Sequence, residues 1–264
     1  MTSELIETAK SMRLDILRLA ARAGTEGKGA HIAPSLSIVE ILAVLFTSIM
    51  RPQDVFILSK GHGGLAYYVA LKESGIINDE QLDSYEIDGG DFPGQPAKCI
   101  ENGIIFSGGS LGMGLSYACG LALANKKRGE DKRIYVLVGN GELNEGSNWE
   151  AVLLAKQQEL GSITVIVDDN GMQSDGKSTE ILDVDLASVF KSFGWQIVTC
   201  DGHSVSELLI VFESSESEKP KAVLAKTVKG KGVSFMENNN AWHHNRFNDE
   251  QYQNAVREVE SIGL

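Results

Sequence analysis

The sequence predicts an α/β fold, a mostly parallel sheet with helices on both faces, built as a single domain over residues 1–264. Two observations carry this. Short β-type runs alternate with helical segments along the chain, the pattern of a parallel sheet that helices cover on both sides. The stretch 133–176 then shows one complete unit of the pattern. An apolar run at 134–138 ends in Gly139-Asn140-Gly141, and a helical segment follows with Ala and Leu at helical spacing. A second apolar run at 163–167 ends in Asp168-Asp169-Asn170-Gly171. A strand, helix and strand of that length require a parallel crossover. Ligands of such sheets bind beyond the carboxyl ends of the strands, where both turns lie.

In chain order, residues 3–23 set Leu5, Ala9, Met12, Ile16, Leu19 and Ala23 on one stripe, which predicts an amphipathic helix. A glycine-rich break over 24–33 holds His31, and a second helix is expected from Ser35 through 38–46, capped by Ser35 or Ser37. Residues 55–58 read as a strand, 65–72 as a helix, 78–85 as a short helix capped by Asn78, and 88–98 as an irregular loop. Glycine-rich 107–114 opens a helix of small residues, and a charged turn at 128–132 leads into the central unit. Beyond Gly176 the pattern gives a helix within 181–190, strands at 195–199 and 222–227, and a helix at 206–212. His203 is read as structural in its turn, Lys229-Gly230-Lys231-Gly232 as a mobile basic loop, and 249–262 as a helix with few strong apolar residues, lying on the surface or at an interface.

Composition narrows the functional classes. A net charge of −12 argues against nucleic acid or an anionic membrane as partner, so a phosphorylated ligand would need locally placed donors or a metal. No apolar run approaches the roughly 18 residues of a membrane span, and the first residues lack the pattern of a signal peptide. Cys99, Cys119 and Cys200 are odd in number and widely spaced, which fits reduced thiols. A cytoplasmic location is the expectation.

The two turns of the central unit carry specific chemistry. Gly139 and Gly141 let the backbone approach a phosphate closely, while Asn140 and Asn170 offer amide oxygens of the kind a hard cation such as Mg²⁺ accepts. Glycine and asparagine are also ordinary turn residues, and both readings stand at this point. His62, in Ser59-Lys60-Gly61-His62-Gly63, follows a strand and precedes a helix, a place from which an imidazole donates to a phosphate.

Gly139-Asn140-Gly141, Glu145-Gly146 and Asp169-Asn170 together resemble the thiamine diphosphate motif of transketolases: Gly-Asp-Gly, an acidic turn with Glu-Gly, a helix, then Asp-Asn. Asn140 stands where the family has its metal-binding aspartate. The resemblance implies thiamine diphosphate and Mg²⁺ (or Ca²⁺ or Mn²⁺), the metal held by Asn140, Asn170 and the backbone carbonyl of Met172. Gly29-Ala30-His31-Ile32-Ala33-Pro34 is similar to the family's Ser-Gly-His-Pro-Gly, which implies that His31 faces the cofactor's reactive carbon and the substrate. His62 matches Leu-Ser-x-Gly-His, and His243 of Trp242-His243-His244 matches a late histidine near the diphosphate. Gly109 and Leu111 fall in a segment resembling Gly-Pro-Leu-Gly-Gln-Gly, which lines the thiazole and pyrimidine side, and Glu142 is counted with Gly139 and Gly141 among the cofactor-binding positions. Phe92-Pro93-Gly94-Gln95-Pro96 resembles Leu-Pro-Gly-His-Pro, so Gln95 replaces a histidine that contacts the donor sugar; glutamine keeps a donor and an acceptor but does not titrate near neutrality. Glu145 and Glu150 match an acidic network that links two active sites across the dimer.

The resemblance covers the diphosphate-binding half of a transketolase. It implies the amino-terminal subunit of a split enzyme that moves a two-carbon ketol unit between sugars or sugar phosphates. The partner would be a separate carboxyl-terminal subunit carrying the pyrimidine-binding domain, in an α2β2 heterotetramer. Gln95 keeps open a related enzyme of specialised sugar metabolism that makes a different carbon–carbon bond, and Asn140 keeps open a non-catalytic paralogue.

Overall fold

The structure is a computed structural model that describes residues 2–213 and 218–262. Five strands form one parallel sheet: β1 Val55–Leu58, β2 Ile134–Gly139, β3 Ile163–Asp169, β4 Gln196–Asp201 and β5 Lys221–Lys226. Their order is β1-β2-β3-β5-β4, with Gly139 beside Asp168 and Asp168 beside Ala225. Every residue of β2 is buried, as a strand covered on both faces must be, and its run of Ile, Val and Leu supplies the apolar side chains for both. The two turns noted in the sequence therefore emerge side by side from adjacent strands.

One face of the sheet packs against α1 (Thr2–Thr25), α2 (Ala33–Leu36), α3 (Val39–Val44) and α4 (Gly64–Glu73). The short α5 (Asp79–Leu82) is capped by Asn78, whose side chain accepts from Gln81 N while Gln81 returns a bond to Asn78 N. The other face packs against α6 (Gly114–Arg128) and α7 (Gly146–Gln157), where Leu115, Ala118 and Ala122 meet Ala151, Val152 and Ala155. Small side chains let these two helices lie close. α8 (Ser178–Ile181), α9 (Leu186–Ser192), α10 (Val205–Glu213) and α11 (Asp249–Glu260) complete the chain.

Two expectations need correction, and two others gain detail. The helix expected from Ser35 is two short helices and a five-residue π turn, Leu45–Ile49; Ser35 lies inside α2, and neither α2 nor α3 has a side-chain cap. Ser37 is buried, and its hydroxyl bonds to Pro34 O and Asp168 Oδ2, so a polar partner across the fold outcompetes capping. The helix expected within 181–190 is α9, which starts at Leu186 and is capped by Asp185, while Ile181 closes α8. The basic loop expected to be mobile is anchored at Lys229, which is 2% exposed, and Gly230 N donates to Ala33 O to pin the turn against α2. The last helix, α11, buries Ala255 and Val259 in the core cluster that α1 shares, so two small apolar residues one turn apart suffice to dock it.

His203 accepts from Val228 N at 2.8 Å and faces Glu40 at 2.9 Å, which anchors the chain just before Lys229. Among the described residues no helix is long and apolar enough to cross a membrane.

Candidate active site

A cleft of about 300 Å³ opens at the carboxyl ends of β1, β2 and β3. Asp168, at the end of β3, lines it and is fully buried. Lys60, 1% exposed, donates to Asp168 Oδ2 at 2.5 Å and to Pro34 O at 3.0 Å. Ser37 Oγ (2.8 Å) and Asn170 Nδ2 (3.0 Å) reach the same carboxylate oxygen, and Thr227 Oγ1 reaches the other. Burial alone would raise this carboxyl; the Lys60 charge and the donors outweigh it and hold it below the usual carboxylate range. Asp168 thus fixes Lys60, Asn170 and the α2 corner relative to one another. An ammonium has three donors, and two of those on Lys60 are spent here.

Glu142 ties three glycine-rich loops together. It is 2% exposed and accepts from Ser59 Oγ (2.5 Å), Gly112 N (2.9 Å) and Gly139 N (3.2 Å), while Ser59 Oγ also accepts from Gly114 N. Burial raises its carboxyl despite those donors. The ends of β1 and β2 and the start of α6 are locked in register by this one side chain.

Three imidazoles gather around the cleft. Ring centroids lie 5.4 Å apart for His31–His243 and His62–His243, and 6.2 Å apart for His31–His62. Burial, reinforced by neighbouring cations, pushes His31 down to about 4 and His243 to about 3, and holds His62 well below its ordinary value. All three are therefore neutral at pH 7. His243 Nδ1 is buried without a partner, and so is Gln173 Nε2, which also lines the cleft. Lys229 Nζ donates to Gln173 O at 2.8 Å and Asn240 Oδ1 at 3.3 Å; burial and the nearby Lys60 bring its ammonium down to about 8, so it stays mostly charged at neutrality.

Oxygens of the type a hard cation accepts lie at and just beyond the ends of β2 and β3. Asn170 Oδ1 accepts from Met172 N at 2.9 Å, and Asn140 Nδ2 donates to Ser178 Oγ at 2.6 Å. Among the described residues no cluster of three His, Cys, Asp or Glu side chains is arranged around a metal position. Asn140, Asn170 and the Met172 backbone carbonyl offer a different set, neutral oxygens of the type hard cations accept. Uncharged ligands suit a cation whose charge is balanced by a diphosphate. Lys60, Lys229, His62 and the unpartnered Gln173 amide supply the donors such an anion needs, on a chain whose net charge is −12. The residues present therefore fit a metal diphosphate.

Of the residues singled out in the sequence, His31, His62, Gln95, Gly109, Leu111, Gly139, Asn140, Gly141, Glu142, Asn170, Met172 and His243 all line this cleft. Gln95 Oε1 sits where a Cβ on Gly109 would come within 2.8 Å, so the glycine is what admits the amide. His243, not His244, lines the cleft; His244 is exposed with its ring 4.6 Å from that of His31. Glu145 and Glu150 are exposed and do not line it. Sequence reasoning missed Lys60, Lys229, Asp168 and Gln173. A signal existed for Lys60, which stands inside the Ser59–His62 segment at the end of β1. For Lys229 the glycines that follow, Gly230 and Gly232, suggested mobility instead.

Comparison with known proteins agrees with this geometry. Residues 5–259 match the family described as transketolase, thiamine diphosphate binding domain. One of the subunits of an apulose-4-phosphate transketolase from Actinobacillus succinogenes is 38% identical over 267 residues, covering 97% of this chain and 96% of the relative. A 6-deoxy-6-sulfo-D-fructose transketolase subunit from Clostridium is 36% identical, covering 88% and 89%. Among solved structures, the transketolase of Campylobacter jejuni superposes with a TM-score of 0.85 at 25% identity; the match covers 97% of this chain and 42% of that one. The chain belongs to the transketolase family of thiamine diphosphate-dependent transferases, matching its thiamine diphosphate-binding domain.

Proposed function

We propose that this chain is the cofactor-binding subunit of a two-chain cytoplasmic transketolase that moves a two-carbon ketol unit between sugar or sugar phosphate substrates. The observation that carries the reading is the meeting, in one cleft, of cation-accepting oxygens (Asn140, Asn170, Met172) with phosphate-donating groups (Lys60, His62, Lys229). Relatives of nearly the same length that are themselves named as transketolase subunits support the division into two chains. The second chain would bring the pyrimidine-binding domain, in an α2β2 assembly. Glu145 and Glu150, exposed just before α7 and within its first half, would meet their network across that boundary.

When bound, thiamine diphosphate supplies the carbon nucleophile and electron sink that ketose cleavage requires. The chain's own groups do the rest. Lys60 and Lys229 hold the anionic end, Glu142 keeps the three loops from spreading, and His31 and His243, neutral at working pH, orient substrate hydroxyls, each with one ring N–H to donate and one ring nitrogen to accept. Gln95, being unable to titrate, orients a donor by hydrogen bonds alone. That substitution favours a donor other than an ordinary pentose phosphate, in keeping with relatives named for unusual sugars.

The test is to express the chain with and without the product of the neighbouring reading frame and to assay ketol transfer. Transfer is expected only from the pair. Transfer by this chain alone would overturn the two-chain reading.

A further inference from the structure

We propose that Ser178 is a positioning residue that makes an amide workable as a cation ligand at position 140, by turning the oxygen of Asn140, not its nitrogen, toward the metal. This rests on the metal-diphosphate reading above. A carboxylate presents two equivalent oxygens, so either may face a cation. An amide presents one oxygen and two N–H donors, and the wrong rotamer sets those donors against the cation. Asn140 is only 8% exposed, so its NH₂ must find a partner within the protein. Ser178 Oγ accepts from Asn140 Nδ2 at 2.6 Å.

The neighbouring amide is treated in the same way. Asn170 Nδ2 donates to Asp168 Oδ2, which likewise turns the nitrogen away and leaves the oxygen to its other duties. Asp168 is an obligate acceptor and Ser178 supplies a lone pair. Both amide nitrogens of the candidate ligand set are therefore tied to acceptors.

Ser178 is delivered by the loop that carries the other two ligand groups. After Asn170 and Met172 the chain turns back, with Gln173 N donating to Gly176 O (2.8 Å), Met172 bridging Lys177, and Ser178 N donating to Gly171 O (2.9 Å). Residues 170–178 thus contribute two ligands directly and orient the third. Asn140 also lies in the wall of a second cleft, of about 360 Å³, which Ser178, Thr179 and Leu182 line. Without the Ser178 hydroxyl, the amide has room to rotate toward that side.

The test is calorimetric titration of Mn²⁺, as probe, into the two-chain assembly saturated with thiamine diphosphate. Ser178→Ala is expected to weaken Mn²⁺ binding about 3- to 10-fold, the range of one lost hydrogen bond. Ser178→Thr, which keeps the hydroxyl, should restore it to within about 2-fold. In an Asn140→Asp background, where either oxygen can serve, Ser178→Ala should cost less than about 2-fold. An equal loss in both backgrounds, or no loss in the native chain, would overturn the proposal. If Asn140→Ala and Asn170→Ala also leave Mn²⁺ binding unchanged, the metal-diphosphate reading itself falls; if they weaken it while Ser178→Ala does not, only the role of Ser178 falls.

Discussion

His31 and His243 are held neutral by burial among cations, and that arrangement has a cost the molecule shows under acid. Their ordinary protonation near 6.5 is displaced to about 4 and about 3. Between those limits the unfolded chain binds protons that the folded chain refuses, so stability rises with pH there and is lost as pH falls below about 6.5. Allowing for partial exposure, each histidine should contribute a loss of about 1–2 kcal/mol between pH 6.5 and 4. Denaturant midpoints across that range check it: the His31→Gln, His243→Gln double variant should show a shallower acid slope than the native chain. Identical slopes would place the acid sensitivity elsewhere. At this scale most of the site was legible in the sequence, because glycines, asparagines and histidines at strand ends are scarce enough to stand out. Asp168 was not, and Lys60 only through its place beside His62, since a buried lysine and carboxylate look like surface residues until the fold brings them to 2.5 Å.

At the scale of elements, the sheet and its helices were legible because β2 and the first five residues of β3 are almost wholly apolar and α1 keeps its stripe. What escaped was a turn. Lys229-Gly230 looks mobile in sequence, yet Gly230 has φ +82°, and a Cβ there would lie 2.4 Å from Met236 O. A left-handed residue pressed against a carbonyl is a fixed corner, and it is the corner that turns Lys229 into the cleft. Gly230→Ala should therefore destabilise the chain by about 2 kcal/mol or more, from the left-handed penalty and the contact together. Gly120, in α6 with open space around it, should respond with the opposite sign: Ala there should add about 0.5–1 kcal/mol. Thermal unfolding of the two variants separates a fixed turn from a tolerant one. Loss of phosphate-ligand affinity is expected only in the first.

For the whole molecule, the central feature is a donor-rich cleft that holds two lysines, set into a chain of net charge −12. An anion approaching such a surface gains little until it reaches the cleft, so affinity must come from local contacts. Those contacts are divided: lysines and imidazoles for phosphate oxygens, amide and backbone oxygens for a cation. With no carboxylate among the proposed metal ligands, the chain alone offers free metal little attraction, and the diphosphate must bring the charge that holds it. Metal and thiamine diphosphate should therefore each strengthen the other's binding by the same factor. Calorimetric titration of thiamine diphosphate into the chain with its partner, with and without Mg²⁺, tests this most directly. Omitting Mg²⁺ should weaken binding at least about 10-fold, roughly 1.4 kcal/mol or more, and Asn140→Ala or Asn170→Ala should remove most of the difference. Equal affinity with and without Mg²⁺, unchanged by both substitutions, would contradict it.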